Sequence, residues 1–262
     1  MKTYLIVPFF VIGFLFQSSA QQWQIGLYTP FRIPEKTTMP NMRNVYGWGL
    51  QAAYSPWATT PVFFEIKADW NQYAYRTYSD AYYYNDGFVS DEFITFRSKL
   101  NHYLVGSKIM IGQSFGTVRG FITPQIGFAS MKSKVEIETN KQTFNNNNTL
   151  YRKVFERNSG GVYGLELGME VALEKLFSSV SEKDVHRLYL SVSYMGSFQK
   201  MKYLNVRKME ETLLNFPNYD GQIYTDQFVQ MTPNNIYQKQ FAEIYRSNLQ
   251  LFGITLGYIA SF

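Results

Sequence analysis

Hydrophobic and polar residues alternate one by one over long stretches of this chain. The pattern is most regular in "GVYGLELGMEVAL" (161 to 173), where Tyr163, Leu165, Leu167, Met169, Val171 and Leu173 face one way and Gly164, Glu166, Gly168 and Glu170 the other. A period of two marks a strand whose two faces meet different surroundings. The same reading holds for "NVYGWGLQAAY" (44 to 54), "PVFFEIKADWN" (61 to 71), "HRLYLSVSYMGSF" (186 to 198) and the final "LQLFGITLGYIASF" (249 to 262). In the last, Phe252, Ile254, Leu256, Tyr258 and Ala260 oppose Gly253, Thr255, Gly257 and Ser261. Weaker alternation over 23 to 30 and over 120 to 131 adds two strands, the second carrying Pro124, a mild cost in any sheet. The segment 94 to 112 is long with ambiguous parity, which predicts a bulge or a strand that outruns its neighbours.

Eight strands result, most of them the roughly 9 to 11 residues that a tilted strand needs to cross a bilayer. The connections sort into two kinds. Those after strands two, four and six are short (55 to 60, 112 to 119, 174 to 185), and those after one, three, five and seven are long (31 to 43, 74 to 92, 133 to 159, 203 to 245). An even strand count with short turns at one end and long loops at the other is the layout of an outer-membrane barrel, with both termini at the short-turn, periplasmic end.

The N-terminus supports export. "MKTYLIVPFFVIGFLFQSSA" has a cation at Lys2, an apolar run from Tyr4 to Phe16, and small residues at Ser18 and Ala20, the pattern of a signal peptide. The expected division is a signal peptide over 1 to 20 and a barrel domain over 21 to 262. With 0 Cys the chain has no disulfide, thiolate metal site or lipidated cysteine. A net charge of +5 with dispersed Lys and Arg does not point to nucleic acid. Aromatics make up 18% of the residues, and barrels use such rings as girdles at both membrane interfaces.

Alternation alone does not say which face turns outward, and a soluble lipocalin-type barrel would alternate too. Three features favour lipid outside: glycine concentrated on the polar faces of strands two, six and eight, the loop asymmetry, and the terminal aromatic Phe262. On the signal peptide, the strand ladder, "FITPQIGFA" and "FGITLGYIASF", the chain resembles a small eight-stranded outer-membrane β-barrel protein of the porin-like or OmpA/OmpX-like superfamily, in the style common among Bacteroidetes. The fold class expected is all-β, an eight-stranded antiparallel up-and-down transmembrane β-barrel in a Gram-negative outer membrane. The resemblance further implies that Phe252, Ile254, Leu256, Tyr258 and Phe262 form the signal read by the barrel-assembly machinery.

With polar faces inward, the lumen receives Glu65, Lys67, Asp69, Glu166, Glu170 and Arg187. A barrel of eight strands is just wide enough for side chains to fill, so these charges are expected to form a salt-bridged plug, with Glu166 near Lys67 and Glu170 near Arg187. A narrow proton or ion path along them is the alternative. A lipid-modifying deacylase or acyltransferase is another, but it needs a serine activated by histidine and an acid. Only His102 and His186 exist, neither in a His-x-Ser spacing; His186 sits at the periplasmic start of its strand and His102 is the sole candidate base. The sequence points to no catalytic set, no metal and no cofactor.

Function then falls to the loops or the outer wall, as a binding or accessory subunit of an envelope complex or a receptor for an extracellular ligand, with outer-membrane lipid around the barrel. The second long connection carries Tyr75, Tyr78, Tyr82, Tyr83 and Tyr84, suited to protein or glycan recognition or to extending the strands and their aromatic girdle. In the last, Val206, Met209, Leu213 and Phe216 have helical spacing, as for a short helix that caps the mouth or docks on a neighbour.

Overall fold

The computed structural model describes residues 22–56, 61–83, 89–111, 117–139, 149–173, 185–204 and 244–261. The signal-peptide stretch, Tyr84, the helical spacing between Val206 and Phe216, and Phe262 lie outside the described residues. Eight strands run β1 Gln22–Pro34, β2 Val45–Ser55, β3 Val62–Tyr83, β4 Val89–Ile111, β5 Val118–Thr139, β6 Thr149–Ala172, β7 Val185–Leu204 and β8 Ile244–Ser261. Each pairs antiparallel with the next, and β8 returns to β1 through Leu27↔Tyr258 and Phe31↔Ile254, closing an up-and-down barrel.

Burial decides the facing. In β1, Gln24 is 2% exposed while its neighbour Ile25 is 55% exposed, and in β3 Glu65 is 3% and Ile66 63% exposed. Apolar side chains cover the outside and charged ones fill the inside, the inverse of a soluble barrel. An exterior of this kind is stable only in contact with hydrocarbon, and closure leaves no unpaired sheet edge in it, so the barrel spans a membrane.

The strands outrun the expected limits at one end. Residues 74–83, 89–92, 133–139 and 149–159, read from sequence as loop, are strand, and β3–β4 pairing continues to Tyr83↔Val89. Backbone ladders persist there, but the alternation that marks a lipid face opposite a lumen face fades, so the sequence cue disappears before the hydrogen bonds do. Between β3 and β4 and between β5 and β6 the asymmetry is therefore largely one of strand height. β1 and β2 do not share it: β2–β3 pairing stops at Tyr46↔Gln72 and β1–β8 pairing at Pro34↔Leu251, which leaves a notch in the tall wall above them.

Of the two readings of the fourth strand, a bulge or a strand that runs on, β4 follows the second with 23 residues, and the bulge beside it lies in its partner β3. The β3–β4 register shifts between Gln72 and Ala74, which leaves Tyr73 and Ala74 both buried and turns Tyr75 outward. In β4, His102, Leu104, Lys108 and Met110 face in, and Tyr103, Val105, Ile109 and Ile111 face out. At Pro124 the strand continues, but the β4–β5 ladder skips from Gly106↔Gln125 to Ile109↔Ile122, as a residue without an N–H requires.

Candidate functional site

The interior is layered from the short-turn end upward. At the base, Glu170 is fully buried and gathers three cations: Arg119, whose Nε and Nη2 lie 2.8 and 2.7 Å from Oε2, Lys108, which pairs with Oε1, and Arg187, whose Nε is 4.0 Å away. Lys108 also lies 4.9 Å above the Phe121 ring. One layer up, the Lys67 ammonium sits 2.5 Å from Glu166 and 3.2 Å from Glu65. Gln125 and Ser191 donate to the same Glu166 carboxylate at 2.7 and 2.5 Å. Such saturation is what a buried carboxylate requires, because each lone pair left bare costs desolvation energy.

A third group forms around Asp69. Arg32 donates to it at 2.6 Å, His102 Nδ1 lies 2.6 Å from its other oxygen, and Asn71 donates to that oxygen as well. All six interior residues picked out by sequence, Glu65, Lys67, Asp69, Glu166, Glu170 and Arg187, thus lie in the lumen, together with Arg32, His102, Lys108 and Arg119, which the sequence reading did not place there. Arg187 lies farther from Glu170 than Lys108 and Arg119 do.

Above these layers the interior becomes apolar. Met39, Val45, Tyr73, Leu100, Leu104, Met131, Met195, Met201, Leu249 and Leu251 pack into one cluster. The connection 35–44 contributes by folding inward: its Met39 is 1% exposed, the Tyr203 hydroxyl donates to the Pro40 carbonyl at 3.1 Å, and the Glu35 N–H donates to the Gln250 carbonyl at 3.0 Å. Hydroxyls of Thr37 and Thr38 hydrogen-bond the Glu35 carboxylate and hold its pKa below the ordinary value. Asn41 takes the left-handed conformation that the turn requires, with φ of 63°. The sequence signal for this apolar stopper is apolar residues on both parities near the tall ends, as in "LQLFG" and "NHYLVG".

What the lumen can do follows from its filling. The cavity between the charged and apolar layers, bordered by Arg32, Lys67, Leu104 and Glu166, has a volume of about 10 Å³, near the minimum for one water molecule. The His102–Asp69 pair has the orientation of a triad's base and acid, yet His102 is fully buried and its Nε2, where a nucleophile's hydroxyl would have to sit, has no partner. His186 is elsewhere, stacked with Tyr258 on the outer wall, ring centroids 5.8 Å apart. Among the described residues no group of three or more His, Asp or Glu is gathered as a metal site.

The outer wall is the other accessible surface. Tyr75 is 47% exposed beside the notch, with the Arg97 guanidinium 5.3 Å from its ring centroid. An open groove of about 560 Å³ lies there, lined by Phe31, Arg43, Tyr46 and Tyr75 among others. Tyr78, Tyr82 and Tyr83 belong to β3, and their side chains lie outside the described residues. Phe252, Ile254, Leu256 and Tyr258 project from β8 to the lipid side.

No family model matches the chain, and no curated protein matches it. Among solved structures the chain is similar to Neisserial surface protein A, at 7% identity over 93% of this chain and 98% of that one, with a TM-score of 0.43. It is also similar to Ail, the attachment invasion locus protein of Yersinia pestis, solved with the heparin analogue sucrose octasulfate, at 9% identity over 92% and 97% of the two chains and a TM-score of 0.38. A third likeness is to the N-terminal β-barrel domain of Pseudomonas aeruginosa OprF, at 9% identity over 91% and 97% and a TM-score of 0.34. Independently of these likenesses, closed register and inverted burial make this chain an eight-stranded antiparallel transmembrane barrel of the outer-membrane type.

Proposed function

We infer that this protein is a non-enzymatic barrel of the outer membrane, sealed along its lumen, which works as a binding or accessory scaffold of the cell envelope through its tall end. The observation that carries the reading is the contrast between a lumen filled by ion pairs and an apolar stopper and a wall that rises past the membrane on β3 to β8. A blocked interior leaves the wall and loops as the surface for a partner. Tyr75 is exposed there, and tyrosine supplies large amphipathic contact area at low entropic cost. The tall end faces outward, and β8, with Phe252, Ile254, Leu256, Tyr258 and Phe262, serves as the segment that the assembly machinery engages during insertion.

The test has two readings on one purified protein. In a planar bilayer the barrel is expected to show no steady unit conductance, and stepwise openings would overturn the sealed scaffold. A photoreactive residue at Tyr75 is expected to cross-link one stoichiometric envelope partner in intact cells, while the same residue at the lipid-facing Ile66 captures none. Silence at both positions would remove the partner from the proposal.

A further inference from the structure

Three cations stand side by side on the outside of the barrel. Register pairs Lys99 of β4 directly with Lys132 of β5, and Lys132 with Arg157 of β6. All three side chains are exposed, and among the described residues none has an acidic partner. Directly opposed side chains in neighbouring strands lie about 5 Å apart, and like charges in that position are destabilising. The next charges up the wall behave differently: Arg97 stacks on Tyr75, and Lys134 pairs with Glu136 at 2.8 Å. Among the described residues the three-cation row is the one of this group without internal compensation, which points to compensation from outside the chain.

Its height says what lies beside it. Immediately below is a polar row, Asn101, Ser130 and Ser159, and below that an aromatic one, with Tyr103 48% and Phe128 68% exposed. Phe198, packed at a tilt against Tyr163 with centroids 5.1 Å apart, continues the girdle on β7. Lys99 is twelve residues up β4 from Ile111 at the short-turn end. At about 3.3 Å per residue and a tilt of about 40° that is ~30 Å, just beyond an apolar band about 25 Å tall. The row therefore sits at the level of lipid headgroups.

We propose that Lys99, Lys132 and Arg157 form a binding site on the barrel wall for the phosphate groups of lipid headgroups in the leaflet at the tall end. One phosphate between two of these side chains turns a repulsive contact into two charge-assisted hydrogen bonds, and the fork of Arg157 takes phosphate oxygens in bidentate fashion. Acyl chains of the same lipid descend along Tyr103, Val105, Ile126 and Phe128, which are all exposed on this sector. The site rests on the membrane-spanning reading of the wall and is independent of the partner proposed above.

Native mass spectrometry of the full folded barrel, released from neutral detergent, tests it with bis-phosphorylated lipid A as probe and dephosphorylated lipid A as control. The wild type should retain the phosphorylated lipid at least about tenfold more tightly. The triple variant Lys99→Gln, Lys132→Gln, Arg157→Gln should bind both lipids equally weakly, with folding checked by the heat-dependent shift in gel mobility. Lys132→Glu serves as a second variant: it places an acid between two cations, so it should abolish lipid retention while raising the thermal midpoint of the barrel. Equal retention of the two lipids by the wild type, or undiminished retention by the folded triple variant, would overturn the site. Displacement of the lipid by millimolar inorganic phosphate would overturn the lipid as its occupant.

Discussion

Glu170→Ala is expected to destabilise the folded barrel by about 3–5 kcal/mol, the scale on which breaking a buried ion pair leaves uncompensated charge behind. Glu170 is the carboxylate shared by Lys108, Arg119 and Arg187, which are 1%, 9% and 4% exposed. Removing it leaves three largely buried cations without the carboxylate they share. Urea unfolding in lipid vesicles, followed by fluorescence of the tryptophans, reads the loss directly. Glu170→Ala combined with Lys108→Met should recover part of it, because the double variant removes charge of both signs from one site. Lys202→Ala is the contrast: its partner Glu156 is 3.4 Å away, but the Lys202 side chain is 49% exposed, so the change should cost under about 1 kcal/mol. Equal destabilisation by the Glu170 and Lys202 substitutions would refute the view that the base of the lumen is held by buried charge.

The cluster at the base also marks how far the sequence can be read. Glu170 and Lys67 show their facing because they sit in strands with unbroken alternation, and counting from the short turns puts Glu166 level with Lys67. Lys108 and His102 lie in a segment where "SKLNHYLVGSK" carries polar and apolar residues on both parities, so their inward facing emerges only once β3 and β5 fix the register. Arg119 falls one residue outside the recognisable strand. At the tall end the limits are of another kind. The β3 bulge at Tyr73 exchanges the two faces midway, and a single sequence carries no mark of a bulge made by ordinary residues. The apolar stopper depends on residues from 39 to 251 meeting in one place, although its trace, apolar residues on both faces, is visible in β4 and β8.

Gly257→Val is expected either to prevent folding or to cost about 3 kcal/mol or more, as overpacking of a rigid interior does. Three glycines of the inner face lie opposite a ring: Gly49 faces Tyr28, Gly168 faces Phe121, and Gly257 faces both Tyr28 and Tyr189. A Cβ added at Gly257 would stand 2.1 Å from Tyr189 Cε1 and 2.9 Å from the Leu27 carbonyl oxygen. The second contact is with backbone of the adjoining strand and cannot be relieved by a rotamer. The first forces away a ring that is 2% exposed, whose hydroxyl donates to Gln51 at 3.2 Å and whose face lies 5.8 Å from the Lys67 ammonium. Displacing Tyr189 therefore disturbs the layer where Lys67 holds Glu65 and Glu166, so strain and lost polar contacts add. Gly196→Ala offers the comparison, since its Cβ would also meet a ring, Tyr163, at 2.6 Å. That ring is on the lipid side, 41% exposed, and can swing outward, so the change should cost less than about 1 kcal/mol. Tyr189→Leu in the Gly257→Ala background should restore more stability than Tyr163→Leu does with Gly196→Ala. If both glycines tolerated a side chain equally, Gly257 would not be there to seat Tyr28 and Tyr189, and the filling of that layer would need another explanation.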